Sequence, residues 1–97
     1  AVHVGLTIIY DAGYDFDTLK VQIEEILESY LQELRKTWAD KEQTIVRIIQ
    51  MEARILNVSG VLDVHDTKLN GNSENLILDG EVIPILGEVK ESSGAAP

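Results

Sequence analysis

The sequence predicts an α+β domain in which two helices pack on one face of a small, largely antiparallel sheet, in the order β-α-α-β-β. Three observations favour this class: an opening segment that alternates in character, a long amphipathic run, and two extended segments joined by Asn-Gly. The 97 residues suffice for one modest hydrophobic core. We therefore expect one domain over residues 1–90 and a flexible tail over residues 91–97.

A strand opens the sequence. Val2 to Tyr10 is rich in β-branched residues and places apolar side chains at every second position, which is typical of a strand with one buried face. The Asp- and Gly-containing stretch after Tyr10 ends this strand. Asp15 or Asp17 is expected to cap a helix, because a short carboxylate accepts hydrogen bonds from unpaired N–H groups at a helix start.

Two helices follow. From near residue 17 to near residue 36, apolar residues recur at three- and four-residue steps, which predicts an amphipathic helix with Ile23 and Leu27 on its buried face. Residues 48–57 carry a shorter pattern of the same period, and residues 45–49 also allow a short extended piece. The Ser59-Gly60 pair ends the second helix, since Gly readily adopts the left-handed conformation.

The C-terminal part predicts extended structure. A polar connector, Trp38 to Thr44, precedes the second helix, and Val61 to Leu69 reads as a strand. Asn70-Gly71 is typical of a tight turn, so residues 75–78 are expected to return as the partner strand of that hairpin. Residues 81–89 form a further extended segment at an edge, because its proline cannot donate a ladder hydrogen bond.

Charge and composition exclude several classes of function. Seventeen acidic residues against eight basic ones give a net charge of −9, so nucleic acid and anionic membranes are not expected as partners. The absence of cysteine excludes disulfides and thiolate chemistry. The serines have neither a Gly-x-Ser-x-Gly setting nor an identifiable base, so the sequence predicts no enzyme, no cofactor and no small-molecule substrate.

Carboxylates in the loop after the first strand are candidate ligands for calcium. Asp11, Asp15 and Asp17 lie within seven residues, with Gly13 among them. A calcium loop of the EF-hand type places its Gly after the third acidic ligand position and a Glu six residues later. Here Gly13 precedes Asp15 and the later position is Leu19, so a loop that uses Asp for turns and caps is the favoured interpretation.

A second group of possible metal ligands lies in the predicted strand after the second helix. Asp63 and His65 share one strand face, whereas strand alternation places Asp66 on the other. His3 is the other histidine of the sequence, and no third ligand is fixed by the pattern. We therefore predict no metal site, and the favoured interpretation is an exposed polar strand face.

The candidate interaction site is a short apolar run near the C-terminus. It consists of Val82, Ile83, Pro84, Ile85 and Leu86. Pro84 blocks regular strand pairing at its position, which leaves two alternatives. The run covers the edge of its own sheet, or it contacts another protein.

Three stretches carry a family resemblance. They are the opening strand with residues 13–17 (GYDFD) and the acidic helix, residues 57–64 (NVSGVLDV), and residues 81–89 (EVIPILGEV). In this order and spacing the sequence resembles the C-terminal region of the baseplate J-like proteins of contractile-tailed bacteriophages, in particular those of PBSX-like defective prophages. It departs from the family pattern at Ser59, where many relatives carry Pro, and in the connector 38–43.

The resemblance implies a structural protein rather than an enzyme. It implies a wedge-like component of the virion tail baseplate that acts in multiple copies within a ring and contacts other baseplate and tail proteins. Together with the absence of an initiator Met, it also leads us to expect a fragment of a longer protein. The alternative is a stand-alone α+β domain with a regulatory or ligand-binding role.

Overall fold

Two helices and five strands make up the described part of the chain, which confirms the α+β class. The computed structural model describes residues 1–36, 43–79 and 82–91. Most of the predicted connector, residues 38–42, and all but the first residue of the predicted tail, residues 92–97, lie outside these ranges. The elements are β1 (Val2–Tyr10), α1 (Phe16–Lys36), β2 (Gln43–Val46), α2 (Ile48–Ile55), β3 (Val61–Leu69), β4 (Leu76–Asp79) and β5 (Leu86–Glu91).

The strands form two sheets. The larger has the order β3-β1-β5, with β1 antiparallel to β3 and parallel to β5. The smaller pairs β2 with β4 in antiparallel orientation. Antiparallel pairing therefore predominates, as predicted, and β5 lies at a sheet edge as expected for the segment that follows Pro84.

The hairpin prediction was correct for the turn and wrong for the partner strand. Asn70 and Gly71 both have positive φ, 51° and 85°, and the flanking Leu69 and Asn72 exchange backbone hydrogen bonds of 2.8 and 3.0 Å. The chain then leaves β3, and β4 pairs with β2 instead. β3 uses its ladder, with a bulge at Asp66, to pair with β1, and β4 pairs in regular register with the β-branched residues of β2.

One hydrophobic core joins both helices to the sheets. Alternate residues of β1 are buried, and α1 contributes its apolar stripe to the same core. Ile23 and Leu27 are fully buried, which confirms the predicted phase of α1. Met51 and Ile55 bring α2 into the same core, and Thr67 Oγ1 of β3 donates a 2.6 Å hydrogen bond to a carboxylate of α2.

Local side-chain chemistry sets the ends of the helices. Asp15 Oδ1 accepts hydrogen bonds from the Thr18 side chain at 2.6 Å and from the Thr18 N–H at 2.8 Å, so Asp15 caps α1. These bonds lower the pKa of the Asp15 carboxyl, the side-chain bond more than the backbone bond. After α2, Gly60 has φ of +97° and lies directly under the ring of Tyr14, where an added Cβ would overlap the ring.

Candidate protein interface

The candidate interface is residues 82–86, which end at the first residue of β5 and which we call the Pro84 segment. Its first residue, Val82, donates its N–H to the Asp79 carbonyl at 2.9 Å. Near its other end, the Ile85 carbonyl accepts the N–H of Val2 from β1 at 2.7 Å. Both ends of the segment are therefore held by backbone hydrogen bonds.

The middle of the segment is held by α1. Arg35 Nη1 donates a 2.8 Å hydrogen bond to the carbonyl of Pro84, and the other arm of the guanidinium pairs with Glu28 of the same helix. Pro84 itself is buried. The sequence gives no local signal for this contact, because Arg35 and Pro84 are 49 positions apart.

The five predicted interface residues divide into two groups. Val82, Ile83 and Ile85 remain 44–55% exposed, although they are large and apolar. Pro84 is buried, and Leu86 packs partly against the core. The segment thus anchors itself with two residues and presents three apolar side chains to solvent.

The strand that follows the segment is fixed at both ends. His3 Nδ1 accepts the N–H of Glu88 at 3.0 Å, and the imidazole lies against Gly87, where a Cβ would collide with it. At the far end, the Tyr10 hydroxyl donates a 2.7 Å hydrogen bond to Glu91. Burial, followed by this bond to the Glu91 carboxylate, raises the pKa of Tyr10 far above its ordinary value.

The loop carboxylates considered for calcium serve local roles. Asp11 Oδ1 accepts the N–H of Ala12 at 2.8 Å, and Asp15 caps α1. Asp17 lies in the first turn of α1, where a negative charge complements the helix dipole. Within residues 1–36, 43–79 and 82–91, no three His, Asp or Glu side chains converge as a metal site would require.

The second candidate group needs one correction. Asp66 was expected on the opposite strand face from His65, but its carboxylate lies 2.9 Å from His65 Nδ1. The bulge, with Asp66 at φ of 53°, interrupts strand alternation and turns this side chain beside its neighbour. Asp63 instead accepts the N–H of Val64 at 2.9 Å, so the structure joins two of the three candidates in an exposed pair.

A cleft of about 350 Å³ lies between α1, β2 and α2, and several polar side chains that line it contact one another. Arg54 donates to both oxygens of Glu33 at 2.7 and 3.0 Å, and its guanidinium lies 4.8 Å from the centroid of the Tyr30 ring. The hydrogen bond from Arg54 lowers the pKa of Glu33, and the same contact raises that of Arg54. The Tyr30 hydroxyl accepts the N–H of Arg47 at 2.9 Å, so this arrangement joins the three elements structurally.

Sequence reasoning missed a second exposed apolar surface on the two-stranded sheet. Ile45 and Ile77 are direct cross-strand partners, and Ile77 is 59% exposed. The pair was missed because β4 was expected to join β3. The β-branched run at residues 45–46 was a signal for an extended piece, but it did not identify the partner strand.

Comparison with known proteins identifies the family. The family model for the baseplate J-like protein C-terminal domain matches residues 2–92. This chain belongs to that family. The match confirms the resemblance seen in residues 57–64 and 81–89, and it covers all the elements of this baseplate J-like domain.

Two curated relatives come from Bacillus subtilis (strain 168). The baseplate J-like domain is 28% identical over 89 residues to "Phage-like element PBSX protein XkdT", covering 92% of this chain and 24% of the relative. It is 37% identical over 88 residues to "Uncharacterized protein YqbT", covering 91% of this chain and 24% of the relative. The chain thus spans about a quarter of the length of the relatives it matches. In the part of the chain that the structure describes, neither helix combines the length and apolar character needed to cross a membrane.

Proposed function

We propose that the chain is a structural module of a contractile phage or prophage tail, located in the virion baseplate, where it joins neighbouring baseplate proteins through protein–protein contacts. The family match over residues 2–92 is the main support, and the similarity to a protein of the phage-like element PBSX agrees with it. In this proposal the module acts in multiple copies within a ring, as a wedge-like component, and performs no catalysis. Its partners are other tail proteins rather than nucleic acid, membranes or small molecules.

The Pro84 segment is the part of the domain that we assign to assembly. Three exposed apolar side chains, Val82, Ile83 and Ile85, lie on a backbone that is hydrogen-bonded at both ends and in its middle. Exposed apolar groups gain free energy when a partner removes them from water. A fixed backbone also lowers the conformational entropy lost on binding. The segment is therefore suited to a lasting contact between assembled subunits.

Deletion of the complete gene from an inducible prophage tests the structural role. We expect the induced cells to yield tails without baseplates, and a plasmid copy of the gene to restore them. Mass spectrometry of baseplates purified from the parent strain should contain the protein at a fixed ratio to the other baseplate proteins. Intact baseplates from the deletion strain, together with absence of the protein from parental particles, would contradict the proposal.

A further inference from the structure

The Pro84 segment is tied to the most deeply packed helix of the domain. Arg35, which contacts the Pro84 carbonyl at 2.8 Å, lies on the same helix as the fully buried Leu27 and Leu31. The guanidinium is oriented by Glu28, seven residues earlier. A planar guanidinium with two fixed acceptors holds its geometry better than a single flexible contact does. Arg35 therefore links the middle of the segment to α1, in addition to the backbone bond between Ile85 and Val2.

This coupling has a consequence for binding. A flexible loop loses conformational freedom when a partner docks, and that loss weakens affinity. The Pro84 segment is already restricted by three hydrogen bonds and by the fixed φ of its proline. The backbone that carries the exposed side chains, Ile83 and Ile85 among them, is thus positioned before any partner arrives.

The charge around the segment indicates the chemistry of the partner. The cation that contacts the segment, Arg35, is already paired with Glu28. Asp79 flanks the segment on its N-terminal side, and the whole sequence carries a net charge of −9. An acidic partner would be repelled during approach, whereas a basic border would be attracted and would increase the association rate.

We propose that Arg35 positions the Pro84 segment as a preformed docking surface for a protein whose contact patch is apolar at its centre and bordered by Lys and Arg. The identity of the occupant as a neighbouring baseplate protein rests on the proposed function. The apolar centre of that patch covers Val82, Ile83 and Ile85, and its basic border faces Asp79.

The test uses the complete protein and each other baseplate protein of the same particle, purified separately and compared by surface plasmon resonance at low and high salt. We expect one of them to bind, with an association rate that falls as salt rises. Asp79→Lys should slow association several-fold. Asp63→Lys is the matched control, because Asp63 is an exposed aspartate on β3, at the opposite edge of the sheet from β5; it should change the rate less.

Variants of Arg35 test the positioning role. Arg35→Ala should weaken binding roughly tenfold, and Arg35→Lys should recover part of the loss because the charge next to Glu28 remains. Lys36→Ala, which removes an exposed charge next in the helix, should bind like the parent. Circular dichroism and melting curves establish that each variant is folded at the temperature of the binding measurement.

Three results would overturn the inference. The first is a folded Arg35→Ala variant that binds as tightly as the parent protein. The second is an association rate that increases as salt rises, and the third is absence of binding to every baseplate protein. Each of these leaves the proposed function standing if baseplates still contain the protein. The proposed function would be contradicted by a different result, the absence of the protein from baseplates purified from the parent strain.

Discussion

Large aliphatic side chains have opposite environments in α1 and in the Pro84 segment. In α1, Ile23 and Leu27 are fully buried in the core that α1 shares with β1. In the segment, Ile83 and Ile85 are 44% and 55% exposed, although the segment's backbone is hydrogen-bonded at Val82, Pro84 and Ile85. The same residue types thus stabilise the domain in one region and remain available to a partner in the other.

The largest effect is expected in the buried region. Leu27→Ala should lower the free energy of unfolding by about 2–5 kcal/mol, because it removes buried methyl groups and leaves a cavity. Val21→Ala is the control on the same helix, since Val21 is 63% exposed, and it should change stability by no more than about 0.5 kcal/mol. Urea denaturation of both variants measures the difference. Equal stability of the two variants would mean that the core is not where the structure places it.

A second substitution tests the packing of the loop beside α2. Gly13 and Gly60 both have strongly positive φ, +89° and +97°. A Cβ added at Gly13 would meet nothing beyond its chain neighbours, whereas one at Gly60 would overlap the ring of Tyr14. Gly13→Ala should therefore lower the free energy of unfolding by about 1 kcal/mol, because only the backbone is strained. Gly60→Ala should lower the free energy of unfolding by about 1–3 kcal/mol more than Gly13→Ala does, because the ring of Tyr14 must move as well. Thermal unfolding of the pair separates the two contributions, and equal costs would contradict the Tyr14 contact.

A smaller effect is expected at the start of α1, where stability should depend on pH. The hydrogen bonds from Thr18 lower the pKa of Asp15 in the folded state. The ionised Asp15 cap therefore contributes fully to folding stability above the unfolded pKa, about 3.9. This contribution is lost as pH falls through the lower pKa of the folded state. Asp15→Asn keeps a capping oxygen but does not titrate. Urea midpoints from pH 6 down to pH 2 should fall further for the parent than for this variant, and parallel curves would contradict the assignment.

Local patterns allowed the sequence to predict much of the fold. The phase of α1, the Asp15 cap and the Asn70-Gly71 turn depend on residues within a few positions of one another, and all three are present. Pairing between distant strands has no comparable local signal. The sequence therefore did not predict that β4 joins β2, or that β5 runs parallel to β1.

The candidate site was partly predictable for the same reason. The apolar character of residues 82–86 and the effect of Pro84 on pairing are properties of the segment itself. The division into anchored and exposed side chains depends on Val2 and Arg35, which lie 83 and 49 positions away from their partners Ile85 and Pro84. The turn of Asp66 toward His65 likewise depended on a bulge that strand alternation does not predict.

The central claim is that the exposed side chains of the Pro84 segment serve assembly rather than the stability of the domain. The double variant Ile83→Ser with Ile85→Ser tests it directly when the same change is placed in the inducible prophage and in the purified chain. Because both side chains are about half exposed, each change should lower the free energy of unfolding by about 1 kcal/mol or less. This effect is well below the one expected for Leu27→Ala. Leu62→Ser, which alters a 60% exposed residue of β3, is the control.

Electron microscopy of induced particles, counted for tails with complete baseplates, is the deciding measurement. We expect the double variant to melt close to the parent while its particles lack baseplates, and Leu62→Ser particles to be normal. A strongly lowered melting temperature would instead show that the segment seals its own sheet edge. Normal melting together with normal baseplates would show that it serves neither role, and either result would contradict the account.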